Sequence, residues 1–208
     1  MPALSSVLDA PFVYLTYQYI VGGIRARARC IRDHVPTRPG QRVLDIGCGP
    51  GYVAGWLKDV DYIGLDTDPG YIAYAGKRYA SKGKFFCELM TDEFLARHGT
   101  FDYVLMNGVL HHLDDPTVHE VLRLSHKALK PGGALVTLDG YYADQLHPVA
   151  RFLLDRDRGR FIRRVDEYLA LARELFPDVR SYDHPDYFRV PYTTLIMECR
   201  RTASQSLR

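Results

Sequence analysis

From about residue 41 onward the chain alternates between two rhythms of apolar and polar positions. Short, near-continuous apolar runs stand at 42–46, 62–65, 84–87, 101–106 and 134–138. Between them lie stretches with helical spacing, at 52–58, 69–79 and 116–129, and a further one follows at 161–176. Strands covered by helices on both faces read this way, so the pattern predicts a parallel α/β sheet. The helix over 116–129 has the clearest local chemistry. Asp115 is placed to cap it, Pro116 suits its first turn, and Gly132 and Gly133 lie past its stop. Val118, Val121, Leu122, Ser125 and Leu129 form its inward stripe, with Ala128 beside it. Two more strands are expected near 180–187 and 192–200, with Pro191 suited to a tight turn between them. A parallel sheet closed by such a hairpin is a mixed, doubly wound sheet.

The fold needs one domain. At 208 residues a chain buries roughly 70% of its unfolded surface. Residues 41–208 are read as the core and 1–40 as a helical extension or lid, with Tyr14, Tyr17 and Gln18 turned inward. The sequence is 47% hydrophobic and 25% charged with net charge +2, which gives no general field for nucleic acid. Arg25, Arg27, Arg29 and Arg32 form a local basic cluster with 25, 29 and 32 on one helical face, read as solvated, with contact to an anionic substrate as the alternative. Cys30, Cys48, Cys87 and Cys199 are scattered, without C-x-x-C spacing or a histidine partner. Buried thiols are therefore expected, and neither disulfides nor a metal site. No apolar run approaches the length of a membrane span and no leader pattern is seen, so the expected compartment is the cytoplasm.

The chemistry concentrates in Val43–Tyr52, Val-Leu-Asp-Ile-Gly-Cys-Gly-Pro-Gly-Tyr. A strand ends in Asp45 and opens into a loop with Gly47, Gly49 and Gly51 around Cys48, so a ligand can lie against bare backbone. The dinucleotide fingerprint G-x-G-x-x-G is not matched, because the third glycine comes one residue early and Tyr52 takes its place. A carboxylate at the lip repels a pyrophosphate and welcomes an ammonium group. The second strand ends at Asp66, followed by Thr67, where an acid accepts from both ribose hydroxyls of a bound adenosine. Asp68, before Pro69, is the better helix cap. Beyond the third strand, Glu88 offers an acceptor for an exocyclic amine, and Leu89 and Met90 offer apolar cover. Asp92 competes there, with capping a helix at 93–97 as its plainer role. Asn107 and Gly108 stand at the carboxyl end of the fourth strand, the edge where open α/β sheets bind ligands. His111 and His112 follow, of which at most one faces the site, as a general base.

These stretches in order, VLDIGCGPGY at 43–52, YIGLDTD at 62–68, FDYVLMNGVLHHLDD at 101–115 and LKPGGALVTLD at 129–139, resemble the class I S-adenosylmethionine-dependent methyltransferases of the small bacterial type. The resemblance implies a Rossmann-like seven-stranded sheet ordered 3-2-1-4-5-7-6, with strand seven antiparallel. It implies that Asp45 and the glycine loop hold the methionyl part of S-adenosylmethionine, that Asp66 holds the ribose, and that Asn107 flanks the cofactor. Family members often carry Asp where Glu88-Leu89 stands here. The expected reaction moves a methyl group to oxygen, nitrogen or carbon of a small acceptor, leaving S-adenosylhomocysteine, in a monomer or homodimer. A protein or RNA acceptor, or a module that binds without turnover, are the alternatives. For the acceptor site the segment with Tyr141, Tyr142 and His147 is favoured over Tyr14 and Tyr17 of the N-terminal lid and over Arg160 or Arg163, the candidates to hold an anionic acceptor.

Overall fold

The computed structural model describes residues 22–157 and 159–202. Helix α1 spans Gly23–His34 and leads to β1, Arg42–Ile46. The elements then alternate: α2 Tyr52–Trp56, β2 Asp61–Leu65, α3 Pro69–Arg78, β3 Gly83–Phe86, α4 Asp92–His98 and β4 Phe101–Asn107. A 3-10 turn at Leu110–His112 precedes α5 Asp115–Ala128 and β5 Leu129–Gly140. Helices α6 Pro148–Leu154 and α7 Val165–Arg173 and strands β6 Asp178–Asp183 and β7 Thr194–Arg200 complete the order. The seven strands form one sheet ordered β3-β2-β1-β4-β5-β7-β6. β1 to β5 pair in parallel and β7 runs antiparallel to both β5 and β6. The Rossmann-like, doubly wound sheet expected from the sequence is the one observed.

Alternation along the central strands sends successive side chains to two cores. Val43 and Leu105 pack with Ala26, Cys30 and Val53 on one face. Leu44, Ile46, Val104 and Met106 pack with Phe94, Leu122 and Phe176 on the other. Asp45 follows the parity of Val43 and so points toward the α1–α2 layer. That geometry decides which helix supplies its neighbours.

Several local expectations are corrected. The cap of α5 is Asp114, whose carboxylate accepts from the Thr117 amide at 3.1 Å, and Asp115 is already inside the first turn. Thr91 caps α4, accepting from the Phe94 amide, while Asp92 pairs with Lys127 and Arg123. Helix α7 begins at Val165, not at 161, and a helix at Pro148–Leu154 lies in the stretch before it. Leu129 opens β5 instead of closing α5. The β6–β7 connection is a long loop over 184–193 with Tyr187 packed into the core, where a tight turn was expected. Asp68 caps α3 as expected, accepting from the amides of Gly70 and Tyr71. Cys30, Cys48 and Cys199 are buried free thiols and Cys87 is exposed. Among the described residues no helix is long and apolar enough to cross a membrane.

Candidate active site

The carboxyl ends of β1, β2 and β4 open onto a cavity of about 370 Å³, within the range of small-molecule sites. Asp45, Gly47, Cys48, Gly49, Asp66, Thr67, Asn107, Gly108 and His112 line it, as do Arg27 of α1, Tyr52 and Tyr71. The glycine loop is shaped by positive φ at Gly47, Gly49 and Gly51, which only glycine adopts freely. A Cβ at Gly47 would lie 2.7 Å from Val109, and one at Gly51 would lie 2.9 Å from Ala75 and Phe85. At Gly49 nothing stands within 4 Å, so that backbone is open to a ligand.

Asp45 is 1% exposed. Its Oδ2 accepts a 2.6 Å hydrogen bond from the Tyr62 hydroxyl, and its Oδ1 is buried without a partner among the described residues. Burial pushes this carboxyl up to about 7, against the Tyr62 hydrogen bond and the Arg27 charge, which pull it down. Asn107 is also buried, and neither its amide nitrogen nor its amide oxygen has a partner among the described residues. Buried polar groups are nearly always satisfied, so these atoms point to a ligand that completes them. Asp66 is held in place by backbone: Gly49 N donates to its Oδ2 at 2.8 Å and Asp68 N to its Oδ1 at 2.9 Å. Each oxygen keeps a lone pair for the cavity.

The two histidines diverge, as their adjacency predicted. His112 is exposed and lines the cavity. His111 is buried, with Nδ1 2.8 Å from Asp139 Oδ1 and Nε2 3.3 Å from Asp157 Oδ1. Burial alone would lower the His111 pKa, but the two carboxylates outweigh it and hold it at about 9.

Other expected residues are placed elsewhere. The Glu88 carboxylate pairs with Arg97 at 2.7 Å, Met90 is in the core, and Leu89 is 69% exposed. The Tyr141 hydroxyl donates to Asp183 at 2.9 Å, and burial with that carboxylate pushes its pKa up to about 12. Tyr142 donates to Asp155 at 3.0 Å, and His147 caps α6 by accepting from the Val149 amide. Tyr141 and Tyr142 line a separate depression beside Arg164, not the cavity at the glycine loop. Arg163 is not available to an acceptor: its five N–H groups all donate, to Asp115 and to the carbonyls of Leu110, Leu113 and Phe161. Arg160 is exposed. Tyr14, Tyr17 and Gln18 lie outside the described residues.

Sequence reasoning did not single out Arg27 from the basic cluster it read as solvated. Within the basic cluster Arg29 pairs with Asp186 and Arg32 with Asp33, whereas Arg27 lines the cavity, 3.3 Å from where a Gly108 Cβ would stand. The signal was present, since the helical spacing that groups 25, 29 and 32 on one face puts 27 on another. Tyr71 was also missed; it enters from the first turn of α3, directly after the Asp68 cap.

A family model described as a methyltransferase domain matches residues 43–133. Phosphoethanolamine N-methyltransferase 3 of Arabidopsis thaliana is 29% identical over 176 residues, 80% of this chain and 35% of that protein. Ribosomal RNA small subunit methyltransferase C of Chromohalobacter salexigens is 29% identical over 121 residues, 56% of this chain and 35% of that protein. The chain thus spans 35% of the length of each of these relatives. Among solved structures, phosphoethanolamine N-methyltransferase 2 of Haemonchus contortus, in complex with phosphomonomethylethanolamine and S-adenosylhomocysteine, shares the fold. It matches with a TM-score of 0.70 at 16% identity, over 96% of this chain and 59% of that one. The matched stretch begins on the strand that feeds the glycine loop and runs to the start of β5, the same part of the sheet that builds the cavity, so the chain carries a methyltransferase domain there, with the sheet order expected of the class I S-adenosylmethionine-dependent methyltransferases.

Proposed function

We propose that the cavity takes S-adenosylmethionine and that the chain moves its methyl group to an oxygen, nitrogen or carbon nucleophile of a small molecule. One observation carries this reading: a buried carboxylate oxygen without a partner, on Asp45, shares a cavity with the Arg27 guanidinium. An amino-acid end presents an ammonium and a carboxylate together, and this pair of charges is complementary to it. Asn107 has both N–H donors of its amide and its carbonyl oxygen left for the same ligand. Asp66, aimed by two backbone amides, suits a ribose diol. The open backbone at Gly49 allows close approach, and Ile24, Val109 and Leu113 supply apolar lining to the cavity.

When bound, the cofactor supplies an electrophilic methyl group whose transfer cancels the sulfonium charge. The protein's part is to hold that group in line with the acceptor, for which effective molarities reach about 10⁵–10⁸ M, and to exclude water. His112, on the cavity wall, is the group placed to take a proton from a hydroxyl acceptor. Helix α1 brings Arg27 to the cavity, so Gly23–His34 is the segment we assign to its cover; residues 1–21 of the expected extension lie outside the described residues. The relatives differ in acceptor, one named for phosphoethanolamine and one for ribosomal RNA. A net charge of +2 favours the small molecule.

Calorimetry with S-adenosylmethionine, S-adenosylhomocysteine and NAD tests the cofactor. Both sulfur ligands are expected to bind and NAD to give no signal. Binding of NAD alone overturns the reading.

A further inference from the structure

The cluster behind the cavity wall has a second chemistry. One ligand atom each from His111, His112 and Asp157 lie within 4.8 Å of one another. We propose that these three side chains form a site for a divalent transition metal, with its open coordination positions toward the cavity. The role of such an ion in methyl transfer rests on the function proposed above; its binding does not.

The support is geometric. Asp139 Oδ1 stands 2.8 Å from His111 Nδ1, which leaves Nε2 facing Asp157. A carboxylate behind the far nitrogen is how metal-binding histidines are oriented. Asp139 is 1% exposed and its Oδ2 has no partner among the described residues. Asp157 is held by the Gly159 amide at 2.8 Å. Gly159 also passes so near His111 that a Cβ there would lie 2.2 Å from the ring, so the loop is built to bring this acid onto that histidine. Two imidazoles and a carboxylate suit zinc, cobalt or ferrous iron over magnesium or calcium. Since His112 lines the cavity, an acceptor oxygen could complete the coordination; with the ion bound His112 is a ligand and no longer the base, and acidification of the acceptor by the ion replaces that part.

The rival arrangement is a metal-free imidazolium bridging two carboxylates, and titration of the full chain separates the two. After chelation and dialysis the protein is titrated with Co²⁺, followed by visible absorption, and with Zn²⁺, followed by calorimetry. One ion per chain is expected, with cobalt d–d bands. Affinity should be lost in Asp157→Asn and fall by about 10- to 100-fold in Asp139→Asn. His112→Gln, an exposed position, should weaken binding without unfolding the chain, and Cys87→Ser, which removes the exposed thiol, should leave it unchanged. No stoichiometric binding to the parent, or full affinity in both Asp157→Asn and His112→Gln, overturns the site. S-adenosylhomocysteine binding is measured on the same samples. Its failure with metal bound counts against the cofactor reading alone, and the converse counts against the metal alone.

Discussion

Two segments leave the same edge of the sheet, the loop after β1 and the connection after β5, and their polar groups behave in opposite ways. Around the first, Asp45 Oδ1 and the whole Asn107 amide are buried with nothing to bond among the described residues. Around the second, Asp139 at the end of β5 has an unpartnered Oδ2, but beyond it Tyr141 and Tyr142 donate to aspartates, His147 caps a helix, and every N–H of Arg163 is engaged. Unused hydrogen-bonding capacity marks where a ligand belongs, and complete satisfaction marks scaffold. The sharpest way to break this comparison is Asp45→Asn. It should cost about 2–5 kcal/mol of S-adenosylhomocysteine binding, roughly 30-fold or more. The ligand-free chain should be as stable as the parent or more so, because the substitution removes a buried charge. Calorimetry and urea unfolding on one preparation check both signs. Retained affinity with lost stability would put Asp45 in the scaffold.

Arg163→Met tests the other side. It strips donors from three carbonyls, those of Leu110, Phe161 and Leu113, and should lower the unfolding free energy by about 1–3 kcal/mol. Cofactor affinity should stay near that of the parent. A variant of normal stability that had lost its ligand would make Arg163 part of the site and dissolve the contrast.

This contrast explains what was legible beforehand. β1 falls on the predicted residues, and the other strands lie within a few residues of theirs, since a strand buried on both faces must be apolar throughout. The glycine loop, Asp45, Asp66 and Asn107 were readable because strand ends fix their position at the sheet edge. The sheet order came from the family resemblance, not from periodicity. Caps misplaced by one residue, Asp114 for Asp115 and Thr91 for Asp92, reflect neighbours that are both good caps, separated only by backbone dihedrals. The long β6–β7 loop is held by Tyr187, whose hydroxyl donates to Asp33 across the fold, a contact with no local signal. Arg163 and Asp157 act on partners some fifty residues away in sequence. A solvated arginine and a clamp look alike until the chain folds.

A pH series sharpens the comparison at smaller amplitude. The Asp45 carboxyl sits near 7 in the folded, ligand-free chain, raised by burial from its ordinary 3.8. The folded state therefore binds more protons than the unfolded one between those values, and this group's contribution to stability falls as pH rises through that window. Binding of an ammonium ligand needs the carboxylate. Affinity for S-adenosylhomocysteine should thus drop about tenfold, or 1.4 kcal/mol, for each pH unit below about 7, with proton release detectable by calorimetry in buffers of different ionisation enthalpy. A flat profile would mean that Asp45 is already ionised or does not meet the ammonium. Asp45→Asn should flatten the profile.

The smallest effect falls on Tyr142, where the two readings of the connection after β5 part. If its hydroxyl only ties the segment to Asp155, Tyr142→Phe removes one half-exposed hydrogen bond, worth about 0.5 kcal/mol of stability. S-adenosylhomocysteine affinity should not change, because Tyr142 lies in a depression apart from the cavity lining. Tyr142→Ala adds loss of the ring, which walls that depression, so it reports on shape where Tyr142→Phe reports on the hydroxyl. Once an acceptor is known, an effect on turnover in the Ala variant alone would assign the ring to the acceptor site. An equal effect in both would give the hydroxyl a role that its bond to Asp155 does not explain. A fall in cofactor affinity in either variant would join the two segments into one site and end the distinction between them.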